Sequence, residues 1–194
     1  MAAESATQAL MGSDAGATPA GPAADKGFRR DSRPFNGGRV ESDVDQPVTG
    51  RFERAEHRYP VRVHFEDTDL SGVAYHATYL RWMERARSDM LRLAGIDQRA
   101  AWEAGAGAYA VADLHIRYRA PARLDDPLLV VSRLAAVGPA RVVIHQRVSR
   151  GAVLLADAEV TAALVAPSGR PRRQPAAWLA VFRALLEERS CIPS

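Results

Sequence analysis

An α+β domain, with one long amphipathic helix laid against an antiparallel sheet of about five strands, is the fold this sequence predicts. Three observations predict it. Apolar residues recur at three- and four-residue steps over 77–93, alternating runs flank that stretch, and the links between the later runs are short enough to favour hairpins. With 194 residues, 47% hydrophobic and 25% charged, the chain fits one such domain plus an extension.

The extension comes first. Residues 1–55 hold half of the fourteen glycines, and Phe28, Phe35 and Phe52 are their only aromatics. Too little apolar surface is available there to offset the entropy of ordering, so the segment is expected to be disordered and the domain to occupy 56–190. "YPVRVHF" at 59–65 then alternates Val61, Val63 and Phe65 with Arg62, His64 and Glu66, the signature of a half-buried strand. The helix over 77–93 places Tyr79, Leu80, Met83, Ala86, Met90, Leu91 and Leu93 on its apolar side. Arg81, Glu84, Arg85, Ser88, Asp89 and Arg92 take the rest, and Gly95 stands where a left-handed cap is wanted. A short helix over 98–103 follows. Strands are expected at 109–119, 127–137, 141–149 and 153–165, and a last helix at 176–188. In the first of these strands, Ala110, Ala112, Leu114, Ile116 and Tyr118 fall on one face; Asp113, His115, Arg117 and Arg119 fall on the other. A single long helix covers only one face of such a sheet, so the other is expected to stay polar or to be covered by a second copy.

Composition narrows the function classes. No apolar run reaches the 18 or so residues of a membrane span, and the longest candidate, 160–169, is broken by Thr, Pro and Ser. The first basic residue is Lys26, without the charged and apolar regions of a secretory signal, and Cys191 is the only cysteine. A cytoplasmic protein is expected. The net charge of +3 and pI near 9.4 permit an anionic ligand, but the basic residues are diffuse and no nucleic-acid signature accompanies them.

The chemistry concentrates in "HFEDTDLSGVAYHATYL", residues 64–80, where Glu66, Asp67 and Asp69 crowd together just ahead of the long helix. Carboxylates this close repel when charged. A calcium loop fails, because Ser71 and Thr78 stand where ligating side chains would be needed. Two readings remain. Asp67 and Asp69 bond local amides in a turn whose positive φ falls on Gly72, or Asp69 is catalytic, set beside the unpaired amides of a helix amino terminus with His76 as a second titratable group.

"YPVRVHFEDTDLSGVAYHATYLRWMERARSDMLR" and "LHIRYRAPARLDD" resemble the hotdog-fold acyl-CoA thioesterases, in particular the Tol-Pal-associated branch of the 4-hydroxybenzoyl-CoA thioesterase superfamily. The similarity runs from about residue 59 to 182. It implies the hotdog fold, one long helix wrapped by a curled antiparallel sheet. It also implies that Asp69 is the catalytic carboxylate, attacking the thioester or activating water, which favours the catalytic reading over the turn alone. By the same resemblance the backbone amides around His76 form the oxyanion site, Gly72 lets the loop approach closely, and the His76 side chain orients or protonates. Tyr75 belongs to the same motif, Tyr79 is a substrate contact or a core aromatic, and Glu66 and Asp67 support, Asp67 either raising the pKa of Asp69 or capping the loop. Arg81, Glu84 and Arg85 are expected to be solvated or at a subunit contact.

Coenzyme A enters as part of the substrate, with no metal or redox cofactor implied. Arg170, Arg172 and Arg173 in "SGRPRRQP" are the candidates for its phosphates. The hairpin "VGPAR" lacks the extra bases, and "LVAPSG" the carboxylate, that relatives often carry. A homodimer or homotetramer with the site at the protomer interface is expected, together with an envelope-system protein partner. Two alternatives stay open: acyl-carrier-protein thioesters as substrate, and a hotdog scaffold that binds acyl ligands or proteins without turnover.

Overall fold

The computed structural model describes residues 47–190. In chain order these form β1 (Arg51–Glu53), β2 (Glu56–Arg62), a 3-10 turn (Phe65–Asp67), α1 (His76–Leu93), α2 (Gln98–Glu103), β3 (Ala108–Tyr118), β4 (Pro127–Val137), β5 (Arg141–Arg150), β6 (Val153–Val165) and α3 (Ala176–Ser190). The strands make one six-stranded sheet in the order β1-β2-β4-β5-β6-β3, antiparallel throughout. The hairpins β4–β5 and β5–β6 follow directly from the short turns read in the sequence.

Helix α1 lies along the inner face. Tyr79, Trp82, Met83 and Ala86 are buried against Val130, Val148, Leu155 and Val160. Each fully buried large apolar side chain contributes about 1.5–3 kcal/mol relative to leaving it in water. A second cluster joins Met90, Leu91 and Ile96 to Leu134, Val142, Ile144 and Phe182, so α3 covers the same inner face beside α1. The opposite face carries Arg117, Arg133, Arg147, His115, His145, Asp157 and Glu159 around a groove of about 500 Å³. That face is polar.

Four expectations need correction. Strand β1 lies inside the stretch expected to be disordered through residue 55 and brings the sheet of about five strands to six; the rest of that extension, residues 1–46, falls outside the described residues. Strand β2 starts and stops earlier than the run 59–65, since Val63 N–H turns to bond Asp126 O at 3.1 Å and Asp67 then caps the next turn. In α1, Trp82 is fully buried, Leu93 is 43% exposed, and Asp89, assigned to the polar side, is buried. In β3 the register shifts between Val111 and Asp113. This bulge flips the alternation: Tyr109 and Val111 lie opposite the inward Leu164 and Ala162, and Leu114 and Ile116 opposite Val160 and Ala158, so Ala110 and Ala112 leave the apolar face on which strict alternation placed them.

The buried Asp89 explains the early start of order. Its carboxylate accepts from Thr49 Oγ1 (3.0 Å), Gly50 N–H (2.7 Å) and Arg92 (2.6 Å), and pairs with His57 Nε2 at 2.9 Å. A carboxylate this deep needs such partners. The segment that supplies two of them is thereby fixed to the helix and continues into β1.

Candidate active site

The acidic loop is hung from a chain of backbone bonds. Asp67 is buried, its carboxylate accepts from His64 N–H at 2.8 Å, and its carbonyl accepts from Tyr75 N–H at 2.8 Å and Thr78 Oγ1 at 3.3 Å. Ala74 N–H bonds Ala122 O, and Ala122 N–H bonds the Tyr79 hydroxyl, both at 2.8 Å. Thr68 and Ala74 pair across the base, and the tip between them carries Asp69, Ser71 and Gly72 at φ +72°. A positive φ there suits glycine, as the turn reading required.

At the tip, Asp69 is exposed and accepts from Ser71 N–H at 2.8 Å and from the Ser71 hydroxyl. The hydroxyl bond first, then the amide, hold its carboxyl below the usual carboxylate range, with a smaller contribution from His76. It is therefore ionised at neutral pH, the form that attacks or takes a proton. Asp67 is not among the causes of that shift and caps the loop, the second of the two roles expected for it.

Tyr75 is the N-cap residue of α1 and offers no side-chain cap. Among the described residues neither His76 N–H nor Ala77 N–H has a backbone acceptor, so two amides at the positive end of the helix dipole stay open. His76 is exposed, its ring 4.3 Å from that of Tyr75 and 6.5 Å from that of Tyr118. Beside it opens a pocket of about 320 Å³ lined by Ala74, His76, Tyr79, Tyr118, Arg119, Ala120 and Pro121.

The structure thus brings Asp69, Gly72, Tyr75 and His76 together at the head of α1. Tyr79 is in the core, 3% exposed, its hydroxyl tied to Ala122 while its ring reaches the pocket. Arg170, Arg172 and Arg173 lie elsewhere. They follow β6 and are exposed, and Arg172 bonds Gly105 O at 2.7 Å, next to the start of β3, whereas Tyr118 ends that strand. Eleven residues of strand separate them, roughly 33 Å. Reading the sequence missed Ser71 and Tyr118; a serine two residues after an Asp is the signal for the first, and Tyr118 showed only as one more residue of an alternating strand.

Among the described residues no three His, Cys, Asp or Glu side chains are grouped to hold a metal ion, and no helix is long and apolar enough to cross a membrane.

Helix α1, with α3 beside it on one face of a single antiparallel sheet, is the hotdog arrangement of thioester hydrolases, and the acidic loop lies at the head of α1. The comparisons agree. Residues 71–163 match the Thioesterase superfamily. The acyl-CoA thioester hydrolase YbgC of Escherichia coli is 40% identical over 128 residues, which cover 65% of this chain and 95% of that protein. A probable thioesterase from Bartonella henselae superposes with a TM-score of 0.59 at 35% identity, covering 62% of this chain and 99% of that one. A thioesterase from Thermus thermophilus, solved with coenzyme A and zinc, gives 0.57 at 26% identity over 68% and 94%. The chain belongs to the Thioesterase superfamily.

Proposed function

We propose that this protein hydrolyses an acyl-CoA to the free acid and coenzyme A in the cytoplasm, with Asp69 as the catalytic carboxylate. The observation that carries the reading is the pairing, at one helix head, of an ionised and exposed Asp69 with the unpaired amides of His76 and Ala77. The amides would receive the carbonyl oxygen as negative charge builds on it. Asp69 would attack the carbonyl carbon, expelling the CoA thiolate and leaving an anhydride that water opens, or would take a proton from the attacking water. The naming of the Escherichia coli relative as an acyl-CoA thioester hydrolase and the coenzyme A in the Thermus thermophilus structure support the substrate.

A second copy completes the site in this reading. Among the described residues strand β3 pairs only with β6, leaving one edge open, and Val111 and Tyr118 of that strand are exposed. Two such edges pairing antiparallel would lay the Ala108 end of one copy against the Tyr118 end of the other. The partner's arginine loop then reaches the helix head that the arginines of the same chain cannot. A homodimer follows, or a homotetramer built from it.

CoA release across short, long and aromatic esters, compared between wild type and Asp69→Asn, tests the proposal. Turnover lost in a folded variant supports it, and full turnover in Asp69→Asn overturns it. The Asp69–Ser71 bonds favour one rival, in which the loop is only a turn on an acyl-binding scaffold; ligand retention without CoA release in the wild type would establish it. Release from acyl-carrier-protein esters alone would move the substrate to that class.

A further inference from the structure

We propose that Tyr118 determines which acyl groups enter the site, as one wall of the pocket at the head of α1, and that it positions His76; this deepens the thioesterase reading of that site and rests on it. Tyr118 is the last residue of β3, on the same sheet face as Ala156 and half-exposed at 45%. Its hydroxyl donates to the His76 carbonyl at 2.9 Å, joining the sheet edge to the first residue of the helix. Its ring stands edge-on to two others, the His76 imidazole at 6.5 Å and 88° and the Tyr79 ring at 5.4 Å and 80°. Burial pushes its pKa up, so the phenol keeps the proton it donates.

These contacts give Tyr118 two separable tasks. Through its oxygen it fixes the residue whose amide is offered to the carbonyl. Through its ring it closes the pocket on the side where Tyr79, itself pinned at the hydroxyl by Ala122 N–H, cannot yield. The remaining wall is Ala74, Ala120 and Pro121, small and apolar, with the charged Arg119 beside them. The groove is open on one side in the single chain, so its wall rather than its volume does the selecting, and the Tyr118 and Tyr79 rings that meet there pack well against compact or aromatic groups. Tyr118 therefore favours a short or ring-bearing acyl group against this wall over an extended one.

Binding of non-hydrolysable S-alkyl and S-benzyl thioethers of coenzyme A by the full-length chain, followed by calorimetry, separates these tasks from turnover. Affinity should improve about fourfold per methylene while the chain fills the pocket, then stop improving in the wild type and keep improving in Tyr118→Ala. Tyr118→Phe should keep the wild-type length profile while kcat on the corresponding esters falls about tenfold, about 1.4 kcal/mol. A length profile unchanged in Tyr118→Ala, a profile altered in Tyr118→Phe, or no binding of any thioether overturns the proposal. Circular dichroism confirms that each variant is folded, and Tyr118→Leu replaces Tyr118→Ala if the latter is not. Ester turnover in Asp69→Asn tells the two readings apart: if that variant retains turnover the catalytic assignment falls, while the thioether length profiles still decide the role of Tyr118.

Discussion

Asp69 and Asp89 are the same residue type at the two ends of one helix, and the structure treats them in opposite ways. Asp89, in the last turns of α1, is 1% exposed and takes bonds from Thr49, Gly50, His57 and Arg92. Asp69, ahead of the first turn, faces solvent, and among the described residues its carboxylate accepts hydrogen bonds from Ser71 alone. Burial pulls the Asp89 pKa up and its donors more than reverse that, so both carboxyls end below their ordinary value. The lesson is that a lowered pKa alone does not mark a catalytic group. What separates the two is whether a ligand can reach the oxygen and whether the neighbouring donors are already used.

The largest expected difference comes from removing each carboxylate. Asp69→Asn should cut kcat by about a thousandfold while the urea midpoint stays put. Asp89→Ala should do the reverse: it leaves Gly50 N–H and His57 buried without an acceptor, and urea unfolding should show a loss of about 3–5 kcal/mol, with kcat of the folded fraction kept. Equal effects of both variants on stability would erase the distinction.

Gly50→Ala probes the Asp89 end without touching a charge. A Cβ there would meet Arg58 O at 2.5 Å, His57 Nε2 at 2.6 Å and Asp89 Oδ2 at 2.9 Å. Overpacking of this kind costs about 1–3 kcal/mol, read as a lower melting temperature.

The two ends should also separate by pH. Burial pushes His57 below its ordinary value of 6.5, only partly offset by Asp89, so the folded state binds fewer protons there than the unfolded chain. Stability is then complete above about pH 6.5 and declines as pH falls through that value, and His57→Gln should flatten the decline. Asp69, by contrast, loses its charge only below the ordinary carboxylate range, near pH 4, so the acid limb of kcat/KM assigned to it should lie lower still. Ser71→Ala, the smallest change, removes the stronger of the bonds that hold Asp69 down and should move that limb upward with little effect on stability.

Much of this was legible in the residues. The 3.6-residue spacing after His76 gave the helix to within one residue at its start, and the runs at 127–137 and 153–165 gave two strands with their ends, because each obeys one local period. The loop could be located from its crowded acids. What escaped depends on partners far along the chain. His57 and Asp89 are 32 residues apart, and no periodicity announces a buried polar pair. The shift at Ala112 reverses two side chains without any glycine or proline to signal it. Tyr118 acquires its place only when a strand end meets a helix head 42 residues earlier.

The bonds beneath the loop form a closed ring. Asp67 holds Tyr75, Ala74 holds Ala122, and Ala122 holds Tyr79 on the helix that Tyr75 begins. The tip from Asp69 to Gly72 hangs outside that ring, anchored at its base alone. Its length and sequence can therefore drift, or be edited by an engineer, while the helix head and the aromatic wall keep their places. The scaffold can try new reactive groups at the tip without risking the fold that presents them.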